Sequence, residues 1–131
     1  NRGVLNPDNY NFESSFGAYE AYATSKLANL ITAQELAKEW ESVNISVYAL
    51  HPGVITTKLL KTGFNIDGAT VEAGSETSVY LVTTDLPKSK SGKYFDDSAE
   101  ATPSTLSQNH QKTAHFWQWT KSQLAPKGTS S

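Results

Sequence analysis

Between residues 18 and 42, Tyr19, Ala23, Leu27, Leu30, Ile31, Ala33, Leu36, Ala37 and Trp40 recur at intervals of three and four. Glu20, Gln34, Glu35, Lys38 and Glu39 fill the complementary positions. This period predicts one long amphipathic helix over 18–42, about 35 Å in length at 1.5 Å per residue, with the charged positions facing water. The pattern then changes. Residues 44–50 are rich in β-branched and aromatic side chains and predict a strand. Pro52 closes it, because proline lacks a donor and holds His51 in extended geometry. A short helix over 56–62 and a flexible break over 63–68 follow. Thr70 is placed to cap a second helix with Glu72 in its first turn, running to about residue 84 and stopped by Pro87.

A polar turn over 88–92 leads to a second strand over 93–96. Strand, helix, strand in that order predicts a parallel pair joined by a crossover. Two parallel strands alone make no stable sheet, since such sheets are buried on both faces, so further strands are expected to complete it. A last helix is predicted over 107–123. Its Phe116, Trp117 and Trp119 stand too close together to share one face, and the expectation is that they wedge the helix onto its own domain. The first 17 residues read as loop, with Asn6-Pro7-Asp8-Asn9 a turn signal. Tyr10, Phe12 and Phe16 are expected to anchor that loop, and 125–131 to be a disordered tail.

Composition narrows the class. The 131 residues suffice for one domain with a modest core. No apolar run approaches the roughly 20 residues of a membrane span, so none is expected in this segment. A net charge of −2 with no basic stripe argues against nucleic acid as a partner. Without cysteine there are neither disulfides nor thiolate metal sites. That fits a reducing compartment, read here as the cytoplasm. His110 and His115 are five apart, off the spacing at which two histidines share a helix face around zinc. No metal site is expected, and His51 reads as structural. The chain also lacks a G-x-S-x-G elbow, a Walker A sequence and S-x-x-K.

What remains is Tyr22-Ala23-Thr24-Ser25-Lys26. A tyrosine and a lysine four apart on a helix lie on one face, one turn above the other. A free tyrosine titrates near 10, so base work near neutrality needs its phenol lowered by roughly two to three units, or about 3–4 kcal/mol. One ammonium about 4 Å away at an effective dielectric of about 20 supplies on the order of 4 kcal/mol. Taken alone the five residues are a weak signal, compatible with a packed tyrosine and a snorkelling lysine.

The surroundings make them specific. Tyr22-Ala-Thr-Ser-Lys-Leu-Ala-Asn-Leu30, Gln34-Glu-Leu-Ala37, the run into His51-Pro52-Gly53-Val54-Ile55-Thr56-Thr57, Gly92-Lys-Tyr-Phe95 and Glu100-Ala-Thr-Pro103 together resemble the second half of a short-chain dehydrogenase/reductase of the retinol-dehydrogenase-like branch. The resemblance implies an α/β fold: the C-terminal part of a doubly wound Rossmann-type parallel sheet, within a single NAD(P)-binding domain. It further implies interconversion of an alcohol and a carbonyl with NAD or NADP as cofactor. Tyr22 would be the acid/base catalyst and one of the cofactor-binding residues, with Lys26 as its activator and a ligand of the nicotinamide ribose. Pro52, Gly53, Val54, Ile55 and Thr57 would form the turn over the nicotinamide. The first helix would flank the sheet, where relatives often pack a second copy, so a homo-oligomer is a candidate partner. The aromatic residues of the first loop would line a substrate entrance.

Part of the family pattern is absent. The glycines stand at 3, 17, 53, 63, 68, 74, 92 and 128, no two separated by a single residue, so the glycine-rich turn that cradles pyrophosphate is not here. Ser14 and Ser15 lie only eight and seven residues before Tyr22, too close for the family's catalytic serine. The expectation is that the chain starts after that serine, that the glycine-rich half is a partner of this one, and that these residues alone are inactive. The alternative is a non-catalytic interaction module that binds a protein partner through its sheet edge or its tryptophans.

Overall fold

The computed structural model describes residues 3–55 and 68–124. Helix α1 spans Ala18–Glu39. Ala23, Leu27, Ile31 and Glu35 follow one another at four-residue steps, and all four are buried. Geometry thus overrides residue type at Glu35: it was expected to face out, but its position continues the buried stripe, and Lys38 donates to its Oε1 at 2.6 Å. Conversely Tyr19 is 56% exposed and Trp40, beyond the helix end, is 38% exposed. Both were expected to face inward.

The apolar stripe is covered from two ends of the chain. Leu5 and Tyr10 pack against Leu27 and Ile31 from one side, and Phe116 closes the cluster from the last helix. Residues 3–5 lie along the first turns of α1, where the Val4 amide donates to Thr24 Oγ1 at 3.0 Å. Asn9, buried, holds the following loop together: Ser14 N donates to its Oδ1, and its Nδ2 donates to the Ser15 carbonyl and hydroxyl. Tyr10 is the anchor expected of this loop. Its ring meets Phe116 edge-on at 5.1 Å, its hydroxyl is 2.8 Å from His115 Nδ1, and burial pushes its pKa up. Phe16 is 73% exposed and anchors nothing in the core.

Strand β1 is Ala49–His51, shorter than the predicted 44–50. Its partner decides this. Residues Lys88–Lys90 coil into a 3-10 helix and Gly92 takes φ +82, so the neighbouring strand, β2, starts only at Tyr94 and ends at Asp96. Residue 47 is tied to that turn by separate hydrogen bonds to Ser91 and Gly92. β1 and β2 are parallel, with Leu50 opposite Phe95, as the element order predicted. Phe95, 2% exposed, has Tyr48 edge-on at 5.8 Å and Tyr80 at 6.3 Å.

Helix α2, Val71–Thr83, carries Tyr80, and it starts where expected: Thr70 Oγ1 accepts from the Ala73 amide. A third strand, β3 at Ala99–Ala101, was not predicted; it runs antiparallel to β2, and the sheet order is β1-β2-β3. Helix α3 is His110–Leu124. It begins three residues later than predicted because Thr105–Gln108 form a separate 3-10 turn and Asn109 Oδ1 caps the helix by accepting from Lys112 N. The predicted short helix over 56–62, most of the break over 63–68, and the tail lie outside the described residues.

The three aromatic residues of α3 divide between two attachments. Phe116 and Trp119, three apart, face Tyr10, whereas Trp117 Nε1 donates to Glu39 Oε1 at 2.8 Å. Lys121 Nζ donates to the same oxygen at 2.8 Å. These two bonds, Lys121 first, hold the Glu39 carboxyl below its ordinary range. A lowered carboxyl pKa contributes stability above the unfolded-state value of about 4.3 and loses it as pH falls through the lower folded value. Acid titration of the folded chain, followed by tryptophan fluorescence, is therefore expected to show release of Trp117 below about pH 4.3, with that step absent from Glu39→Gln.

Candidate active site

Tyr22 and Lys26 sit one helical turn apart in the first half of α1, each one position before a member of the buried stripe. That offset turns them about 100° from the core. Tyr22 is accordingly 44% exposed and Lys26 is exposed. The Lys26 ammonium stands 5.3 Å from the centre of the Tyr22 ring, within cation–π range. The structure thus brings the two predicted residues together on one accessible face. Ser25 Oγ donates to the Tyr22 carbonyl at 2.7 Å and does not face its phenol through this bond.

The other predicted residues form a turn at the carboxyl end of β1, a strand against which α1 packs. The carboxyl ends of parallel strands are where open α/β sheets bind ligands. Gly53 has φ +80, a conformation that costs other residues about 1–2 kcal/mol. His51 Nδ1 accepts from the Gly53 amide at 2.8 Å and so fixes the start of the turn. This is the structural role expected of His51; Asp96 Oδ1 lies 3.8 Å from the same nitrogen. Pro52, Gly53 and Val54 are exposed, while Ile55 is half-buried. The Ala69 amide donates to the Val54 carbonyl at 2.7 Å, and Ile55 forms a parallel bridge with Ala69. Thr57 lies outside the described residues.

Sequence reasoning passed over the residues that hold this turn from behind. Gly68 and Gly74 leave no room for a side chain: a Cβ at 68 would stand 2.2 Å from the Val54 oxygen, and one at 74 would stand 2.3 Å from Ile55 Cδ1. A glycine inside a helix, such as Gly74, was the available signal, because it sacrifices helix stability for something else.

A groove of about 1030 Å³ lies elsewhere. Lys38, Glu41, Lys93 and Glu100 are among its walls, at the far end of α1, about 24 Å along the axis from Tyr22. Glu100 is engaged by Lys90 and held below its ordinary range by that bond. Among the described residues no group of three acidic, histidine or cysteine side chains could hold a metal ion, and no helix is long and apolar enough to cross a membrane.

No protein-family model matches this chain. Retinol dehydrogenase 14 of Homo sapiens is 35% identical to it over 111 residues, which cover 75% of this chain and 33% of that protein. Retinol dehydrogenase 11 of Mus musculus is 29% identical over 124 residues, covering 88% of this chain and 39% of that protein. Over 75% to 88% of its length the chain is thus similar to retinol dehydrogenases, which are members of the short-chain dehydrogenase/reductase family. It spans about a third of the length of retinol dehydrogenase 14. The WW domain-containing oxidoreductase of Drosophila melanogaster is 29% identical over 115 residues, 80% of this chain and 28% of that protein.

The backbone has a counterpart among solved structures. A crystal structure of an uncharacterized protein from Mycobacterium Paratuberculosis matches with a TM-score of 0.71 at 22% identity, over 92% of this chain and 44% of that one. At that identity the likeness speaks for the fold, which is part of a Rossmann-type α/β architecture. The positive φ at residue 53 makes the turn itself testable. Gly53→Ala is expected to lower unfolding stability by about 1–2 kcal/mol, seen as a reduced urea midpoint at unchanged slope.

Proposed function

We propose that this chain carries the proton-transfer pair and the nicotinamide-side turn of an NAD(P)-dependent oxidoreductase that interconverts a small-molecule alcohol and its carbonyl. The observation that carries this reading is the Lys26 ammonium against the exposed Tyr22 ring, on a helix that packs against the strand leading into the Pro52–Ile55 turn. The residues present suit a nicotinamide dinucleotide: exposed main chain at the carboxyl end of a parallel strand, a glycine in left-handed geometry, and a lysine able to reach ribose hydroxyls. When bound, that cofactor supplies or accepts the hydride.

In the reducing direction Tyr22 gives its phenolic proton to the substrate oxygen, and in the oxidising direction it takes the proton back. Lys26 holds positive charge beside the phenol while negative charge develops on it, and the same ammonium donates to the nicotinamide ribose. The main chain at Ile55 would meet the carboxamide, and Thr57 is a further candidate for holding the cofactor. The pyrophosphate is held by the glycine-rich half of the fold, which these 131 residues do not contain, and the choice between NAD and NADP falls to that half as well. The strands of that half would join β1 on the side away from β2, which has no partner strand among the described residues.

In the complete enzyme that carries this segment, Tyr22→Phe is expected to remove most of kcat with cofactor affinity nearly intact, and Lys26→Ala to impair both. Steady-state kinetics with direct cofactor titration reads both effects. Wild-type turnover from Tyr22→Phe would remove Tyr22 from the chemistry.

Residues 1–131 on their own, verified by intact mass, are expected to show no NAD(P)H oxidation. Their cofactor affinity is expected to be no better than millimolar, about −4 kcal/mol. Micromolar binding or steady turnover from this material would contradict the division of labour between the two halves.

A further inference from the structure

Gly74 lies inside α2, where glycine weakens a helix relative to alanine, so its presence asks for a reason of packing. The reason is Ile55. A Cβ at 74 would stand 2.3 Å from Ile55 Cδ1 and 2.6 Å from Cγ1. Turning the end of the isoleucine moves Cδ1 but leaves Cγ1 where it is, so relief requires a change of χ1, which a β-branched side chain resists, or a shift of the main chain of the turn or the helix.

The helix is not free to move. One turn beyond Gly74 on the same face, buried Thr77 accepts at Oγ1 from the Ser98 amide in the β2–β3 turn at 3.0 Å, and one turn further Tyr80 packs on Phe95. At the other end Thr70 caps the helix and the adjoining Ala69 amide holds the Val54 carbonyl. Helix α2 therefore spans the distance between the hairpin and the turn after β1, and the missing side chain at 74 sets how closely the turn approaches it.

We propose that Gly74 is a positioning residue for cofactor binding: the flat spot it makes on α2 seats Ile55, and that seat sets where the main chain of the Pro52–Ile55 turn stands toward the nicotinamide. The inference rests on the reading above that this turn meets the dinucleotide. It adds a residue that touches neither substrate nor cofactor.

The test is Gly74→Ala with and without Ile55→Ala, in the complete enzyme, read by titration with NADH and NADPH and by amide hydrogen exchange. Gly74→Ala is expected to raise the Kd and KM of the preferred dinucleotide about tenfold while kcat at saturation stays within about twofold. Exchange at the Ala69 amide should speed up about tenfold, with the Ser98 amide unchanged. Adding Ile55→Ala removes both clashing carbons and is expected to bring all these values back to within about threefold of wild type. A generally damaged helix would instead expose Ser98 and would not be rescued, and either result overturns the proposal, as does unchanged cofactor affinity in Gly74→Ala. If the wild-type enzyme binds neither dinucleotide, the reading of the site fails together with the cofactor role of Gly74. Exchange at Ala69 then still decides whether Gly74 seats the turn.

Discussion

An offset of one residue governs this molecule. Positions 23, 27, 31 and 35 of α1 point at the core, and positions 22 and 26 precede two of them, which turns the tyrosine and the lysine about 100° away from the buried stripe. The packing of Leu27 and Ile31 against Leu5, Tyr10 and Phe116 therefore does more than exclude water. It removes the helix's freedom to roll, and with it the freedom of the phenol and the ammonium to leave their face. A pair so held needs few contacts of its own.

The turn after β1 is held by different means. A tautomer-fixing bond at His51, one left-handed glycine and one bridge to Ala69 hold it, with the bulk of Ile55 behind. The helix supporting Ile55 is referenced to the β2–β3 hairpin and not to α1. The two halves of the candidate site thus hang from separate parts of the fold, and the sheet is what relates them. A sheet of three short strands, each three residues long, is a slender frame, and a parallel strand such as β1 is ordinarily paired on both sides. The length of the curated relatives, of which this chain spans about a third, is consistent with that frame being wider in the proteins it resembles.

Much of this was legible in the residues. The period of α1, the Thr70 cap of α2, the parallel pair and the Tyr22–Lys26 face all follow from spacing and local chemistry, because each depends on residues within a few turns of one another. The misses share a cause in distant partners. Strand β3 was hidden because its hairpin turn uses Asp97 and Ser98, both with positive φ, where asparagine and glycine are the usual signal. That strained pair is held by Thr77, 21 positions away from Ser98 in sequence. Glu35 was assigned to solvent by its charge, although its spacing put it on the buried stripe. Strand β1 was placed too early because its partner, bent by a 3-10 turn and Gly92, meets only the last two residues of 44–50 and His51 beyond them.

The hydrogen bond between Tyr10 and His115 joins positions 105 apart, and the core cluster needs both neighbourhoods at once. During synthesis the chain emerges from its amino end, so α1 is made long before the residues of α3 that cover it. With 85 residues separating Ile31 from Phe116 and elongation at about 5–20 residues per second, the apolar side of α1 stays open for roughly 4–17 s. Contacts of such high sequence separation also slow folding after release. The stripe of Leu27 and Ile31 thus waits for Phe116 through that interval.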